Sequence, residues 1–319
     1  MGKYIIRRLI LIIPTLWLLT LLIFGLMRVL PGDVAVMILS DPAGGMTANR
    51  ETLDSLREKL GLNKPLHIQY LEWVWGMVRG DLGDSLFSGR PVLQDILVRL
   101  PVTVEIALLA TLVGFFTGIP LGILSAIKQN SWIDQTLRFV SIIFLATPSF
   151  WLGLLVILAG LIWFGWVPPS GYNTLWERPK DNILQVMWPV LILGSGGMAT
   201  IARMTRSTML EVLREDYIRT ARSKGLREQV IIIRHALKNA LIPVVTLAGL
   251  TFAQLMGGTV ILEAIFGVPG MGNLFITSIR TLDYPIVQAI TVIFAVLFMA
   301  TNLLIDLLYG WLDPRISYS

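Results

Sequence analysis

The stretch Ile106–Ile127, IALLATLVGFFTGIPLGILSAI, runs without a single Asp, Glu, Lys or Arg. A bilayer's hydrocarbon core is roughly 30 Å thick and takes about 20 apolar residues of helix to cross. A helix apolar on every side has no face to offer water, so this stretch places the chain in a membrane. Five more stretches of similar length are free of charge: Leu9–Met27, Phe139 to about Trp163, Asn182–Ala202, Asn239–Leu262 and Tyr284–Ile305. The expected fold class is therefore an all-α polytopic membrane protein with six transmembrane helices. A seventh uncharged stretch, Ala264–Ile279, carries Gly267, Pro269, Gly270 and Gly272, and suits a re-entrant or surface element better than a span. Composition agrees: 55% of the 319 residues are hydrophobic and 15% charged, against about 25% charged in soluble domains.

Lys3, Arg7 and Arg8 precede the first stretch as they would in a secretory signal. The hydrophobic run is longer than a cleaved signal core, and no small-x-small site precedes Arg28, so it reads as a retained span. Lys/Arg bias then orients the chain. With the N-terminus in the cytoplasm, Lys3, Arg7, Arg8, Lys128, Arg138, the basic run Arg203–Lys238 and Arg315 all fall inside. The short outer loops hold only Arg178, Lys180 and Arg280. Both termini are expected in the cytoplasm. The net charge of +5 is thereby assigned to membrane orientation, and nucleic acid is not an expected partner.

The region after the first span, 32–100, is expected to be extracytoplasmic and helical, following an N-terminal tail and span over 1–31. Thr47–Glu51 resembles a helix start, and Leu53, Leu56 and Leu60 follow at helical spacing before Gly61, a good stop. A second amphipathic helix is expected over Leu66–Val78, where Tyr70, Trp73, Trp75 and Val78 suit a water–lipid interface. Gly80–Asp84 reads as turns. Two readings stand for this region: a cap that packs the outer ends of the spans, and a surface that receives a partner.

Several chemistries are missing. Cysteine is absent, which removes disulfides, thiolate zinc sites and cysteine nucleophiles. The two histidines, His67 and His235, make no metal cluster, and neither a G-x-S-x-G elbow, an H-E-x-x-H pair nor a P-loop occurs. Charges near the spans lie at their ends, at Arg28, Glu105, Glu263, Asp283 and Asp306, leaving no central relay for an ion-coupled carrier. The spans hold helix-distorting residues instead: Pro120, Pro148, Pro189 before Gly194–Gly197, and Gly257–Gly258. Together these suit helices that move against one another.

The most basic segment, Arg203–Pro243, has nine Lys/Arg against four Asp/Glu. Asp216–Leu226 is expected to form a short helix stopped by Gly225, followed by a second helix over Arg227–Asn239 leading into the fifth span. From composition alone it is a basic, lipid-facing loop; a stop glycine between two helices equally suits an exposed knob.

At these residues the chain resembles the inner-membrane permeases of binding-protein-dependent ABC importers, in particular the dipeptide, oligopeptide and nickel group, peptide-permease B-subunit type. That family carries a cytoplasmic motif E-A-A-x₃-G-x₉-I-x-L-P, whose positions are taken here by Arg219-Thr220-Ala221, Gly225, His235 and Leu237. Tyr217–Gly225 and His235–Pro243 are similar to the peptide-permease version. The likeness continues in Gly80–Ser85, Arg99–Glu105, Leu145–Gly153, Glu263–Gly272 and Leu282–Gln288, in the same order along the chain.

The resemblance implies the type I importer permease fold, with a five-helix core over 101–310, a coupling loop at 203–238 and a cytoplasmic tail over 311–319. It implies a transport subunit rather than an enzyme, importing dipeptides or oligopeptides; nickel or another small solute is the alternative within the family, and an ion-coupled secondary transporter the one outside it. No cofactor is expected in this chain, with ATP and Mg held by partners. Those partners are a homologous second permease, two cytoplasmic ATP-binding subunits or domains, an extracytoplasmic solute-binding protein and membrane lipid. The location implied is a bacterial or archaeal inner membrane. The ATPase-coupling residues carried over are Tyr217, Ile218, Arg219, Thr220, Ala221, Arg222, Lys224, Gly225 and His235. Small Thr220 and Ala221 would allow close approach, Tyr217 and Ile218 apolar contact, and Arg219, Arg222 and Lys224 complementary charge. The candidates for the solute path are Thr147, Ser149, Ser195, Thr251 and Gln254, polar groups that in a span also commonly bond to helix backbone.

Overall fold

The computed structural model describes residues 2–29, 34–39, 50–59, 61–169 and 171–312. Leu60, the start signal at 47–49 and Arg315 lie outside that set. Among the described residues the elements are helices, with one isolated bridge between Asp84 and Pro91. In order they are α1 (Gly2–Val29), α2 (Val34–Leu39), α3 (Arg50–Lys59), α4 (Leu66–Val78), α5 (Val92–Ile127), α6 (Trp132–Ala146), α7 (Ser149–Phe164), α8 (Pro179–Val212), α9 (Asp216–Ser223), α10 (Glu228–Val230), α11 (Leu237–Gly258), α12 (Val260–Phe266), α13 (Met271–Arg280) and α14 (Tyr284–Leu312). The chain divides into two units, Met1–Val102 with Gly270–Leu297 and Thr103–Pro269 with Phe298–Ser319.

In the first unit, α4 has the bounds its amphipathic pattern predicts. Its aromatic residues separate, however. Tyr70 and Trp73 turn toward α1, where Phe24 meets them at centroid distances of 5.4 and 6.0 Å, while Trp75 and Val78 stay exposed. Ile23, Met27, Tyr284 and Val287 form the cluster beneath, and Val92, Ile96, Met271, Leu274, Ile286 and Ile290 form a second. The turns at Gly80 and Gly83 both take positive φ, +83° and +77°, a conformation glycine reaches without a Cβ penalty. They deliver Ser85 to Asp283, whose carboxylate accepts from the Ser85 hydroxyl at 2.6 Å and from the Leu86 amide at 3.2 Å.

The second unit is organised on α8. Its 34 residues extend roughly 51 Å at 1.5 Å per residue, well beyond a bilayer core. Helix therefore continues through Arg203 and Arg206 to Val212, and after the short α9 it resumes at Glu228. A π-helical segment, Ile231–Ala236, joins α10 to α11, so Glu228–Gly258 forms one span-length helical run. Pro120, Pro189 and Pro243 sit within continuous helices.

Pro148 behaves differently. The stretch expected as one third span is two helices, α6 and α7, set 96° apart. Pro148 has no amide proton to continue the ladder, and its ring pushes Thr147 out of the helical region; Thr147 is accordingly extended at φ −90°, ψ 123°. Halves of 15 and 16 residues are each too short to cross a bilayer alone. Five other segments, α1, α5, α8, the 228–258 run and α14, contain apolar windows of crossing length. Two bent pairs, α6 with α7 and α12 with α13, are apolar enough to count only as broken spans or re-entrant elements, so the described residues hold five to seven candidate spans against the six expected.

Glycine sets how closely α5 meets α8. A Cβ on Gly122 would stand 2.5 Å from the Thr205 Cβ and 2.6 Å from the Ala202 carbonyl oxygen; on Gly118, 2.9 Å from the Met198 oxygen; on Gly114, 3.0 Å from the Gly197 carbonyl carbon. Spaced four apart, the three line one face of α5 and let two backbones touch, the packing that small residues permit where lipid supplies no hydrophobic drive.

Candidate functional site

Between α8 and α10 the chain makes a compact elbow. α9 begins at Asp216, an acid in the first turn that complements the helix dipole. It stops as the sequence predicts: Gly225 takes φ +73°, its amide donates to the Arg222 carbonyl at 2.9 Å, and Leu226 reaches back to Ala221. A Cβ at Gly225 would meet nothing within 4 Å, so it is backbone conformation and not space that asks for glycine there.

The two faces of α9 have separate work. Ile218 and Ala221 are buried, packed with Ala126, Met209, Ile231, Ile232 and Ala236. These two were expected to offer contact to a partner; in the structure they are turned inward and hold the helix to its own bundle. Burial of a side chain like Ile218 contributes roughly 1.5–3 kcal/mol. Tyr217, Arg219, Thr220, Arg222, Lys224 and Gly225 remain exposed. Tyr217 accepts from the Asn239 amide at 2.7 Å, and Arg222 pairs with Glu228 at 2.8 Å, tying the elbow across its turn. His235, half-buried, lies in the π-helical segment below. The result is a short basic helix, fixed by its inner face, presenting cations outward.

The sequence reading missed the clamp behind the elbow. Asp134, fully buried, receives both Arg206 Nε and an Arg206 terminal nitrogen at 2.8 Å, the Ser125 hydroxyl at 2.5 Å and the Asn130 amide at 3.0 Å. Bidentate pairs of this kind fix orientation as well as energy. Ser131 caps α6 by accepting from the Asp134 amide, so Ser131-Trp-Ile-Asp134 was a helix-start signal available in the sequence.

Four of the five expected path residues meet in one place. Thr147, Ser149, Thr251 and Gln254, with Leu193 and Gly196, line an open cavity of about 440 Å³. Its lining carries no charged side chain. Ser195 is not among the lining residues; its hydroxyl donates to the Ile192 carbonyl at 2.7 Å. Thr147 and Thr251 also bond their own helices, at Ile143 and Leu247. A Cβ at Gly196 would meet open space.

Two carboxylates expected near span ends are built into the bundle. Glu263 is fully buried and accepts from the Thr103 and Thr259 hydroxyls, each at 2.8 Å. Glu105 accepts from the Tyr172 hydroxyl. Burial, and then the Glu105 carboxylate, push Tyr172 above the ordinary phenol range, keeping it a donor.

Residues 118–318 match the family described as binding-protein-dependent transport system inner membrane component, and residues 1–107 match the N-terminal part of such membrane components. The chain belongs to this permease family. Over its whole length the permease is 43% identical to the full oligopeptide transport system permease protein AppB of Bacillus subtilis. It is 38% identical, again over all of both chains, to the dipeptide transport system permease protein DppB of Alkalihalophilus pseudofirmus. Its fold is similar to a chain in the inward-facing MetNI methionine ABC transporter, with a TM-score of 0.56 at 18% identity, covering 69% of the permease and 97% of that chain. The permease is thus a multi-pass transport subunit of an ABC importer.

Proposed function

We propose that this permease pairs with a homologous second permease to carry dipeptides or oligopeptides inward, driven by two cytoplasmic ATP-binding subunits and fed by an extracytoplasmic solute-binding protein. Both termini and the 213–227 elbow then face the cytoplasm, and the region 32–100 faces outward. The observation that carries this reading is the division of labour on α9, with Ile218 and Ala221 buried and Tyr217, Arg219, Thr220 and Lys224 exposed. A helix fixed to the bundle on one side and basic on the other transmits a push from a docked ATPase into α8 and the 228–258 run. ATP and Mg belong to that ATPase, and nucleotide-driven closure acts through its different affinity for the two states of the permease.

The cavity beside Thr147, Ser149, Thr251 and Gln254 is the solute path in this reading. Its uncharged lining offers peptide groups hydrogen bonds without a deep electrostatic trap, which suits passage rather than storage. It holds neither histidine nor carboxylate, the imidazole and oxygen ligands that a nickel path would use, and no ionisable relay for an ion-coupled carrier. The test is uptake of labelled di- and tripeptides into vesicles holding the reconstituted importer. ATP-dependent uptake that survives an ionophore and is not competed by nickel supports the reading; uptake that collapses with the ion gradient overturns it.

A further inference from the structure

A second cavity, of about 210 Å³, lies in the first unit and is lined by Phe24, Arg28, Gln69, Glu72, Trp73 and Tyr284, among others. Its polar groups are unevenly matched. The Arg28 guanidinium stands 5.2 Å from the ring centres of both Phe24 and Tyr284, and its Nε is buried without a hydrogen-bond partner. No carboxylate pairs with it among the described residues: the acid in the cavity wall, Glu72, is taken by Lys64 at 2.8 Å to each oxygen. Gln69, only 9% exposed, donates its amide to the Leu62 and Lys64 carbonyls at 3.2 and 2.7 Å. That fixes the amide orientation and leaves Gln69 Oε1 buried with no donor.

Buried polar groups in this condition cost free energy unless something satisfies them. The cavity walls thus hold one buried N–H on a cation and one buried acceptor. A partner that answers both carries an anionic acceptor at one end and an N–H donor at the other. We propose that this cavity binds the head group of a zwitterionic phospholipid of the ethanolamine type, its phosphate against Arg28 and its ammonium toward Gln69 Oε1. A choline head group has the same charges but no N–H to give Gln69. A phosphatidylglycerol head group answers Arg28 with its phosphate but meets Gln69 Oε1 with neutral hydroxyls, without the charge-assisted N–H that ethanolamine gives.

The surroundings favour a lipid over a free zwitterion. Leu22, Leu26 and Val29 on α1 are 62%, 52% and 81% exposed, and Leu71 and Trp75 on α4 are 62% and 58% exposed. The two helices that wall the cavity therefore carry apolar side chains for acyl chains to cover, and Trp73 and Trp75 beside them are of the residue type that membrane interface belts favour.

The experiment is native mass spectrometry of the importer purified with whatever subunits accompany it, after exchange into an equimolar mixture of phosphatidylethanolamine, phosphatidylcholine and phosphatidylglycerol. The wild type is expected to retain phosphatidylethanolamine preferentially. Arg28→Gln should lower that retention about tenfold, the loss of one charge-assisted contact, and Gln69→Leu should keep a phospholipid while losing the preference for ethanolamine over choline. Equal retention of the three lipids by the wild type overturns the proposal, as does a preference for phosphatidylglycerol. A parallel arm adds glycylglycine: displacement of the retained lipid assigns the cavity to free zwitterions and overturns it too. The wild-type arms decide the matter even where a variant fails to fold.

Discussion

Arg206 and Asp134 lie 72 positions apart in sequence and are joined by two hydrogen bonds of 2.8 Å. The carboxylate is fully buried and the guanidinium side chain 20% exposed, so the pair ties α6 to α8 just where α8 leaves the apolar stretch for the elbow.

Breaking one half of this pair leaves the other as a buried, uncompensated charge. Asp134→Asn is expected to destabilise the permease by about 3–5 kcal/mol, and the double replacement Asp134→Leu with Arg206→Met to recover most of that. Thermal unfolding of the detergent-solubilised variants checks both, since recovery in the double variant distinguishes a charge penalty from lost packing.

The glycine face of α5 makes a steric prediction. Gly122→Val forces a side chain into the space of Thr205 and the Ala202 carbonyl, and should cost about 1–3 kcal/mol by overpacking. Gly196→Ala points into open space and should leave the unfolding temperature unchanged. Comparing the two by the same thermal assay separates close packing from a general intolerance of substitution.

Asp283 predicts a pH dependence. Burial raises its pKa, against hydrogen bonds from Ser85, Leu86 and Ile286 that lower it. With the folded value above the unfolded one, folding favours the protonated acid. Stability from this group is then greatest at low pH and declines as pH rises from about 4, the ordinary aspartate value, to the raised folded value. The unfolding temperature of wild type minus that of Asp283→Asn, followed from pH 4 upward, should fall over that window and stay flat above it. A difference that stays constant or rises across the window contradicts the assignment.

Gly225 links conformation to coupling. A β-branched side chain at φ +73° is strained by roughly 1–2 kcal/mol, while asparagine tolerates the left-handed region. Gly225→Val should lower peptide uptake per ATP hydrolysed, and Gly225→Asn should preserve it. Parallel ATPase and uptake measurements in vesicles give the ratio.

Much of the fold is legible in the sequence because long apolar helices announce themselves by length and lack of charge. The bounds of α4 and the stop at Gly225 follow from local rules, amphipathic spacing and a glycine's freedom. What escaped is what depends on a neighbour. Pro120 and Pro148 look alike in sequence, yet Pro120 continues its helix and Pro148 turns its chain by 96°. Arg206 reads as one more loop cation until α8 is seen to carry it to Asp134. On α9 the sequence marks the residues but not their face: Ile218 and Ala221, three apart, share the inward stripe, and their burial partners come from α5, α8 and the π-helical segment.

The exposed face of α9 is the central claim, and the absence of cysteine from the chain makes it directly measurable. Single cysteines placed by Lys224→Cys and by Ile218→Cys, in membranes containing the assembled importer, are treated with a bifunctional thiol-to-amine cross-linker. The account predicts a covalent adduct between position 224 and an ATP-binding subunit, and none from position 218. No adduct at 224, or labelling of that cysteine by an impermeant maleimide applied from outside intact cells, contradicts it.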